Sequence, residues 1–463
     1  MDIKFSNEIT ISRPTPEILD WCKQNLVIEN PDYAKKERMG LWVGNTPRTL
    51  SLYKRNGEAI ILPIGAFRHI KGILDRVNDI CFFKNDLANN NDVCYGADIN
   101  LFDYQQEALQ AMLKAKYGIL QSPAGSGKTQ IGIALAVALG KKCLWLTHTQ
   151  DLLKQSYDRA KQYIDESLLG TITAGKVNIG AGITFATVQT LCKQDLTQYK
   201  YEWDVVIVDE CHRVAGTPTS MTQFSKVISN LASPHKYGLS ATVHRADGLI
   251  KCCYMLLGDV RYIVPDEAVK DRCMQVKVER VDTFTKIPME ALDTDGTINY
   301  TKLISSLASN GLRNDEILYR IADETEHYHL ILSDRLEQLY DLYNNLPENL
   351  KELASVIDGK MTSKKGKAER EQAIEDMRAG KKHILFASYK LAKEGLDIPR
   401  LDRLHLATPQ KDYAVIVQSV GRIARVFEGK QQPICFDYVD NFKMAENMFK
   451  KRKSHYRKCG CEI

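Results

Sequence analysis

Long apolar runs, a leader segment and ordered cysteine spacings are all absent from this sequence of 463 residues. No run approaches the roughly 18–20 apolar residues that span a bilayer, so we expect no membrane segment. The N-terminus, MDIKFSNEIT, lacks the basic start and the apolar core of a secretion signal. The 12 cysteines follow no framework spacing, which indicates free thiols in a reducing compartment. Together these absences predict a cytoplasmic protein.

A strong excess of charge of one sign is also absent. The 63 basic and 58 acidic residues give a net charge of +5, so any polyanion would have to meet a local basic patch. The hydrophobic content of 44% and the charged content of 26% are ordinary for a globular protein. At roughly 100–200 residues per domain, the length predicts two to four domains.

Residues 1–95 mix short β-like runs (EITI, TLSLY, EAIILPI) with a helical piece near PEILDWCKQNL. This mixture predicts a small α+β N-terminal domain, which the turn-rich stretch NDLANNNDVCYGADIN joins to the rest of the chain. The scattered basic residues of this domain are Lys35, Lys36, Arg38, Arg48, Lys54 and Arg55. They form either an accessory surface that binds nucleic acid or a solvated charged face, and the sequence leaves both interpretations open.

From Leu101 onward, strand-like apolar runs alternate with helical segments. The first series of runs includes KKCLWLTHT, ITFATVQTL, WDVVIVDECH and YGLSAT, and a second series from about His329 includes HLILS, HILFAS and PICFDYV. Such alternation predicts parallel sheets covered by helices, with functional residues at the carboxyl ends of the strands. The α/β fold class follows, with one lobe over residues 96–262 and another over residues 326–442. Residues 263–325 are predicted to be a linker and the start of the second lobe.

The stretch YGILQSPAGSGKT, from Tyr117 to Thr129, has the strand, loop and helix order of a P-loop. Glycines let backbone N–H groups close around phosphates, and the following helix N-terminus adds positive potential. Lys128 is suited to the β- and γ-phosphates of ATP, and the Thr129 hydroxyl to Mg²⁺. The alternative is a chance Gly/Ser turn before a helix. The predicted nucleotide-binding residues of this loop are Ser122 (where a glycine is usual), Pro123, Ala124, Gly125, Ser126, Gly127, Lys128 and Thr129.

The run VVIVDECH carries Asp209 and Glu210 at the end of a predicted buried strand. An acid there can hold Mg²⁺ through water, and its neighbour can orient and deprotonate the attacking water. Adjacent acids at a strand end are otherwise often only solvated. His212 either links the nucleotide site to the second lobe or is structural.

The run QSVGRIAR predicts a helix on which Arg422 and Arg425 share a face, with Gln418 one turn before. Guanidinium groups can neutralise charge that develops on a γ-phosphate. The alternative interpretation is a basic amphipathic helix.

The order of these motifs resembles superfamily 2 helicases, over nearly the whole span from Leu101 to about Asp440. The resemblance implies two tandem RecA-like lobes that hydrolyse ATP with Mg²⁺ and grip a nucleic-acid backbone. By the same resemblance Tyr104 and Gln105 read the adenine edge, and Gly395 and Asp397 face the nucleotide. The residues that the resemblance assigns to nucleic-acid contact are Thr147, Thr187, Ser240, Thr242, Arg245, Ser333 and Ser388.

Within the superfamily, the segment SATVHRADG resembles the form found in DNA motors, with Val243 in place of a usual proline. That form occurs in restriction-type translocases, XPB-like helicases and phage helicases of the UvsW kind, whose members would work in a bacterial host cytoplasm. The DECH run departs from the DEAD of RNA helicases. DNA is therefore the expected strand.

The C-terminal residues 443–463 form a predicted basic tail. Its basic residues, with Phe449 and Tyr456 between them, are suited to phosphate contact and to stacking on bases. A solvated helix end is the alternative.

The sequence predicts an ATP-dependent DNA helicase or translocase that remodels forked or branched DNA in replication, recombination or repair. Nuclease, replication or recombination proteins are expected partners, and any cutting of DNA would need a partner because no nuclease motif is recognisable here. Three alternatives stay open: an RNA helicase of the same fold, a motor subunit of a restriction or defence complex, and a small-molecule phosphotransferase.

Overall fold

The computed structural model describes residues 1–76, 81–88, 91–123, 125–217, 220–243, 248–293, 296–359, 361, 363–393 and 396–463. The chain forms two compact units. The first comprises Met1–Pro123 and Gly127–Pro265, and the second comprises Asp266–Ile463 together with Ala124–Ser126. Within the described ranges, no helix is both long and apolar enough to cross a membrane.

The N-terminal part of the first unit is a small α+β structure. Its strands are β1 (Asp2–Phe5), β2 (Ile9–Ser12), β3 (Val27–Glu29), β4 (Thr49–Ser51), β5 (Lys54–Asn56), β6 (Ala59–Leu62) and β7 (Phe82–Asn85). Its helices are α1 (Pro16–Asn25), α2 (Pro31–Arg38) and α3 (Phe67–Leu74). The described strands form a sheet in the order β5-β6-β2-β1-β7 and a separate antiparallel pair, β3 with β4.

Alternation of apolar and polar residues gives this small sheet one buried face. In β2 and β6 the side chains of Ile9, Ile11, Ile60 and Leu62 are buried, because successive strand residues point to opposite faces. They share a core with residues of α1 and α3, and this core extends to Met255 of the following part of the chain. The N-terminal structure is therefore packed onto the rest of the first unit.

The remainder of the first unit is an α/β lobe. Its strands are β8 (Tyr117–Gln121), β9 (Cys143–Thr147), β10 (Leu169–Thr173), β11 (Lys176–Asn178), β12 (Ile183–Thr187), β13 (Val205–Asp209), β14 (Gly216–Thr217), β15 (Ser220–Met221), β16 (His235–Ser240) and β17 (Val260–Ile263). Its helices are α4 (Asp103–Leu113), α5 (Lys128–Leu139), α6 (Gln150–Ala160), α7 (Val188–Leu191), α8 (Gln223–Asn230) and α9 (Ile250–Leu257).

Eight of the described strands of this lobe form one sheet, in the order β11-β10-β12-β9-β13-β16-β8-β17. All neighbours are parallel except β11, which is antiparallel to β10. The central strands β9, β12 and β13 are buried along their whole length, as expected for strands covered by helices on both faces. The predicted parallel sheet of the first lobe is confirmed.

The second unit is a second α/β lobe. Its strands are β18 (Lys277–Asp282), β19 (His329–Ser333), β20 (Ala354–Ile357), β21 (Ile384–Ser388), β22 (Arg403–Leu406) and β23 (Ile434–Val439). Its helices are α10 (Tyr300–Ala308), α11 (Gly311–Asp323), α12 (Leu336–Asn344), α13 (Glu348–Lys351), α14 (Lys364–Ala379), α15 (Tyr389–Lys393), α16 (Tyr413–Ile423) and α17 (Lys443–Lys458). The described strands form a wholly parallel sheet in the order β18-β23-β22-β19-β21-β20. The α/β fold class is confirmed here too.

The C-terminal residues are a packed helix, α17, which corrects one expectation. Both guanidinium nitrogens Nε and Nη2 of Arg452 donate to Asp437, each over 2.7 Å, inside the second unit. The Tyr456 hydroxyl donates to the same carboxylate over 2.7 Å. The side chains of Phe449 and Tyr456 are buried, so the prediction that they stack on bases is wrong. Their spacing gives the helix an apolar face, and burial of that face in the lobe explains the pattern.

Candidate functional site

Most of the residues predicted for the first lobe lie at the carboxyl edge of its large sheet. Successive neighbours in the sheet, β12, β9, β13, β16 and β8, end at Thr187, Thr147, Asp209, Ser240 and Gln121. Thr187 is paired with Thr147 in register, and Ser240 with Gln121. Parallel register thus brings segments that are up to about 120 residues apart in sequence to one edge, as the alternating pattern predicted.

The P-loop leaves β8 at Gln121 and enters α5 at Lys128. Gly125 and Gly127 have φ values of 82° and 76°, in the left-handed region that glycine adopts without steric cost. A Cβ atom at Gly127 would lie 2.5 Å from Nε2 of Gln105, so a side chain at this position would have to displace the end of Gln105. The Gln105 Oε1 atom accepts a hydrogen bond from the backbone N–H of Phe102 over 3.1 Å, which holds this side chain in place.

The residues on either side of the glycines also have defined places. The buried Ser122 donates its backbone N–H to the carbonyl of Ser240 over 2.9 Å, which ties the loop to the end of β16. Lys128 and Thr129 are the first two residues of α5, where N–H groups and the helix dipole favour an anion. Pro123 lies between Ser122 and position 124, and Ala124 lies outside the described residues.

Asp209 ends β13 and Glu210 follows it, and the two acids differ in their protonation behaviour. Burial and the charge of Glu210 raise the pKa of Asp209 to about 7, against the opposing charge of Lys128. Burial would also raise the pKa of Glu210, but the contact with His212 and the charge of Lys128 lower it to about 2. Glu210 also has a φ of 50°, a left-handed conformation that is uncommon for a residue with a side chain. A nearby cation would therefore stabilise the charged form of Asp209, whereas Glu210 stays ionised and is able to act as a base.

A chain of contacts runs from Glu210 to the residues after β16. The Nδ1 atom of His212 lies 3.2 Å from Oε2 of Glu210 and 2.9 Å from Oγ of Ser240. The Ser240 hydroxyl donates to the carbonyl of Thr242 over 2.7 Å. The structure thus places the His212 ring between Glu210 and Ser240, both in the first unit, and a link from His212 to the second lobe stays a prediction.

Sequence reasoning did not single out His148 and Arg213. The guanidinium Nη1 of Arg213 lies 2.9 Å from Nε2 of His148. This contact joins the chain after β13 to the chain after β9. A signal was present in the sequence, because both residues directly follow segments that were assigned to the site. Their meeting depends on the order of strands in the sheet, which the sequence does not state.

The hydroxyl residues predicted to touch nucleic acid in the first lobe are turned into the protein. Thr147 Oγ1 donates to the carbonyl of Thr149 over 3.2 Å, and Thr187 Oγ1 donates to Oγ1 of Thr190 over 3.0 Å. Ser240 and Thr242 are buried as well. Their contact with a strand stays a prediction, and Arg245 lies outside the described residues.

Tyr104 and Gln105, predicted to read the adenine edge, occupy the first turn of α4. The ring of Tyr104 is stacked on that of Phe102, with 6.1 Å between centroids and 19° between planes. Gln105 is buried beside Gly127, as described above. The two side chains thus differ in environment, and base contact by either stays a prediction.

In the second unit, the arginines of QSVGRIAR lie at the end of α16. Arg422 donates from Nε and Nη1 to the carbonyls of Ala392 and Leu396, each over 2.9 Å. The helix ends at Ile423, so the expectation that Arg425 shares a helical face with Arg422 is wrong.

Arg425 instead forms an isolated antiparallel β-bridge with Cys273, and its side chain makes an ion pair with Asp397. The structure thus brings together Asp397 and Arg425, which the sequence assigned to nucleotide binding and catalysis. Gln418 is buried one turn before Arg422. Gly395 lies outside the described residues.

Two strand ends of the second sheet carry the remaining predictions. Ser333 ends β19 and is paired in register with Ser388, which ends β21. The buried Ser333 hydroxyl donates to Oε1 of Gln338 over 2.7 Å, whereas Ser388 Oγ accepts from the N–H of Leu391 over 3.4 Å. Their contact with a strand stays a prediction.

The P-loop, the start of α5 and the acids at the end of β13 fit a nucleoside triphosphate with a divalent cation. Left-handed glycines and the start of α5 provide N–H groups for phosphates. Hydroxyl and carboxylate oxygens of Thr129 and Asp209 belong to the ligand type that Mg²⁺ prefers, directly or through water. The raised pKa of Asp209 reflects a buried carboxyl group that a cation would stabilise in its charged form.

Comparison with known proteins gives two family matches. Residues 98–245 match the model "Type III restriction enzyme, res subunit", and residues 314–427 match "Helicase conserved C-terminal domain". The first range holds the P-loop and both acids, and the second holds Gln418, Arg422 and Arg425.

Individual proteins resemble the chain over most of its length. It is 29% identical over 430 residues to the putative ATP-dependent RNA helicase L396 of Acanthamoeba polyphaga mimivirus, covering 88% of this chain and 77% of that protein. It is 26% identical over 367 residues to the DNA 3'-5' translocase XPB2 of Sulfurisphaera tokodaii, covering 72% of this chain and 80% of that protein.

Among solved structures, the ATP-dependent Type ISP restriction-modification enzyme LlaBIII bound to DNA has a similar fold. The TM-score is 0.56 at 16% identity, over 85% of this chain and 33% of that one. At this identity the likeness concerns the fold alone.

Proposed function

The chain belongs to the superfamily 2 helicases and translocases and is an ATP-hydrolysing enzyme of that family, and we propose that the nucleic acid along which it moves is DNA. In this proposal the protein moves along DNA without reading its sequence and remodels forked or branched DNA in replication, recombination or repair. Contacts to phosphates and sugars suit such a motor, since they carry no base information. The proposed place of action is the cytoplasm, in a bacterial host if a phage encodes the protein.

One observation supports the hydrolytic part of the proposal: Asp209, Glu210 and the P-loop share one edge of one sheet. In the proposed mechanism Lys128 and the loop N–H groups hold the phosphates, and Thr129 and Asp209 hold Mg²⁺, Asp209 through water. Bound Mg²⁺ would supply neutralisation of phosphate charge. Glu210, ionised because of His212 and Lys128, orients the attacking water and accepts its proton.

The second lobe completes the proposed machinery. Arg422 and Arg425 are proposed to neutralise charge on the γ-phosphate, supported by Gln418 and Asp397. In the proposed domain division, residues 1–95 are an accessory domain, residues 96–262 the first lobe, residues 263–325 the linker and residues 326–442 the second lobe, followed by residues 443–463. Thr187 and Ser388 are among the proposed strand contacts of the two lobes.

DNA is favoured over RNA by the segment SATVHRADG and by the similar protein that is named as a DNA translocase. The mimivirus relative, named as an RNA helicase, supports the second candidate function, which is an RNA helicase of the same fold. A motor subunit of a restriction complex is the third, supported by the match to a restriction-enzyme model.

The deciding experiment is ATP hydrolysis by the purified chain, alone and with single-stranded DNA, duplex DNA, branched DNA or RNA. We expect stimulation by DNA, strongest with branched forms. Stimulation by RNA alone would establish the RNA helicase instead. Movement on duplex DNA without strand separation, together with copurification of a nuclease, would establish the restriction motor. ATP hydrolysis that no nucleic acid stimulates would overturn all three candidate functions.

A further inference from the structure

Trp42 is the most exposed large hydrophobic side chain in the described part of the chain, with 88% of its surface accessible. The sequence has four tryptophans. Trp145 and Trp203 are fully buried, and Trp21 is partly buried. Residues next to Trp42 are exposed too, namely Met39 at 60% and Leu41 at 54%. Three exposed apolar side chains within four residues mark a candidate interaction site, since contiguous exposed apolar patches on soluble proteins do so.

The segment that carries Trp42 is held at its base. It leaves β3 and returns to β4, which form an antiparallel pair. The buried Asn30 accepts from the N–H of Asp32 over 3.0 Å and donates from Nδ2 to the carbonyl of Pro47 over 2.8 Å. Its own backbone N–H donates to the carbonyl of Arg48 over 3.0 Å. We call residues 31–48 the projection. Its two ends are therefore clamped together.

A second tie lies within the projection. The Lys36 ammonium donates to Oγ1 of Thr46 over 2.7 Å, which joins α2 to the returning chain. The α2 helix, which precedes Trp42, has no buried residue, so it contributes little to the core of the unit. An ordered segment that adds little to the core is expected to serve recognition, because its fixed conformation would otherwise cost conformational entropy without benefit.

Gly44 sets the position of the indole ring. A Cβ atom at Gly44 would lie 2.8, 3.0 and 3.1 Å from three carbons of the six-membered ring of Trp42. Gly44 also has a φ of 49°, which glycine adopts without strain. The ring therefore lies directly against the backbone at Gly44, and the rest of its surface is open to solvent. A flat, positioned and open ring is suited to stacking.

The excess of basic residues around the projection favours a negatively charged ligand. Residues 29–55 contain six basic and three acidic residues, whereas the whole chain has a net charge of only +5. The exposed basic residues of the projection are Lys35, Arg38 and Arg48. On this segment the exposed cations outnumber the exposed acids, Asp32 and Glu37. An exposed aromatic ring on the same segment as exposed cations is the combination by which proteins bind single strands, through stacked bases and neutralised phosphates.

We propose that the projection is a nucleic-acid site in which Trp42 stacks on an unpaired base while Lys35, Arg38 and Arg48 contact the flanking phosphates. The proposal rests on the proposed DNA motor function and names its substrate as DNA with a single-stranded segment. It also selects between the two interpretations of the basic N-terminal residues, in favour of an accessory surface. An unpaired base is required because the bases of an intact duplex already stack on one another.

The test uses the full chain and a 20-nucleotide oligothymidine, without ATP. Tryptophan emission should fall on titration, because a base stacked on the exposed Trp42 quenches it, while the buried Trp145 and Trp203 do not respond. The Trp42→Phe variant should lose this quenching but keep most of the affinity, measured by anisotropy of a labelled oligonucleotide. The Trp42→Ala variant should bind roughly 5- to 150-fold more weakly, the factor typical for loss of one stacked base.

Phe82→Ala is the matched control, because Phe82 is an aromatic residue on β7 of the same N-terminal structure with 64% of its surface exposed. Its affinity for oligothymidine should equal that of the wild type. A blunt duplex of 20 base pairs should quench less than the single strand. Thermal melting should be unchanged in Trp42→Ala because an exposed side chain contributes little packing.

Wild-type affinity in Trp42→Ala, or emission that does not respond to the oligonucleotide, would overturn the proposal. Equal quenching by duplex and single strand would overturn the assignment to unpaired bases, and a response only to phosphatidylserine vesicles would replace nucleic acid by a membrane surface. The motor function is judged separately, by stimulation of wild-type ATP hydrolysis. If DNA stimulates hydrolysis but Trp42 has no effect, only the site at the projection falls.

Discussion

His212 donates the proton on Nδ1 toward Ser240, whose Oγ lies 2.9 Å away. The direction follows from Ser240, because its single hydroxyl hydrogen is directed at the carbonyl of Thr242 over 2.7 Å. The same Nδ1 lies 3.2 Å from Glu210. One N–H group is therefore shared between the Glu210 carboxylate and Ser240 at the end of β16, so a shift of either residue changes the contact with the other.

This shared proton predicts the behaviour of variants at His212. The His212→Ala variant should hydrolyse ATP, but DNA should no longer stimulate it, because the connection from Glu210 through His212 to Ser240 is lost. The His212→Asn variant should recover part of the stimulation, since the asparagine amide can donate from nearly the position of Nδ1. Steady-state hydrolysis with and without single-stranded DNA measures both. Full stimulation in His212→Ala would contradict a coupling role.

Glu210→Gln should lower kcat by roughly 10²- to 10⁴-fold, the usual contribution of a general base. ATP binding should persist, because the phosphates are held by the P-loop rather than by this acid. Glu348→Gln is the control, since 88% of the Glu348 side chain is exposed on α13 of the second unit. The measurements are turnover and equilibrium binding of labelled ATP. Normal turnover by Glu210→Gln would refute the assignment of the hydrolytic site.

Gly127→Ala should abolish nucleotide binding. The new Cβ would lie 2.5 Å from Nε2 of Gln105, and the backbone at φ 76° would be strained. Gly57→Ala is a matched control: its φ is 57°, but a Cβ there meets nothing within 4 Å. Both variants should lose about 1 kcal/mol of stability from the left-handed backbone, and only Gly127→Ala should lose binding of labelled ATP. Equal binding by both would show that the loop tolerates a side chain.

The positions of the P-loop and of the two acids at the ends of strands are what the sequence predicted well. Both motifs are recognisable because each needs only a strand end and a few adjacent residues. Contacts between distant residues were not predictable in the same way. His148 and Arg213 meet because β9 and β13 are neighbours in the sheet, and Arg425 lies beyond α16 because the helix ends at Ile423. Composition alone could not tell the buried aromatic residues of α17 from solvated ones.

The buried position of Arg452 on α17 leads to a prediction for the free energy of unfolding. Arg452→Ala leaves the carboxylate of Asp437 buried without its charged partner, and loss of one partner of a buried ion pair typically costs 3–5 kcal/mol. Urea denaturation should show this loss. Lys453→Ala, the neighbouring residue with a partly exposed side chain, should change stability by less than about 0.5 kcal/mol. If Arg452→Ala were as stable as the wild type, α17 would not be an integral part of the lobe.

A buried histidine pair predicts how the second lobe responds to acid. Nε2 of His329 lies 2.9 Å from the carbonyl of Glu324, to which it must donate, and Nδ1 of His329 lies 3.0 Å from Nε2 of His405. Nδ1 of His405 in turn lies 2.8 Å from the Tyr438 hydroxyl. Every partner is satisfied when both rings are neutral, whereas a proton on Nδ1 of His329 would face the N–H of His405.

Burial lowers the pKa of His329 to about 4 and holds that of His405 well below its usual range. Below a pH of about 6.5 the unfolded chain therefore binds protons that the folded lobe does not. Stability is fully present above that pH and falls as the pH drops toward 4, by up to about 1.4 kcal/mol per pH unit for each histidine. Urea denaturation followed from pH 7 to pH 5 measures this slope.

The double variant His329→Leu/His405→Phe should have a flatter slope, whatever its stability at pH 7, because neither side chain can bind a proton in the unfolded state. His69→Gln is the control for removal of a histidine outside the second lobe, since His69 lies on α3 of the first unit. A double variant that loses stability toward acid as steeply as the wild type would show that other groups govern the acid response, and that the neutral pair is only a packing feature.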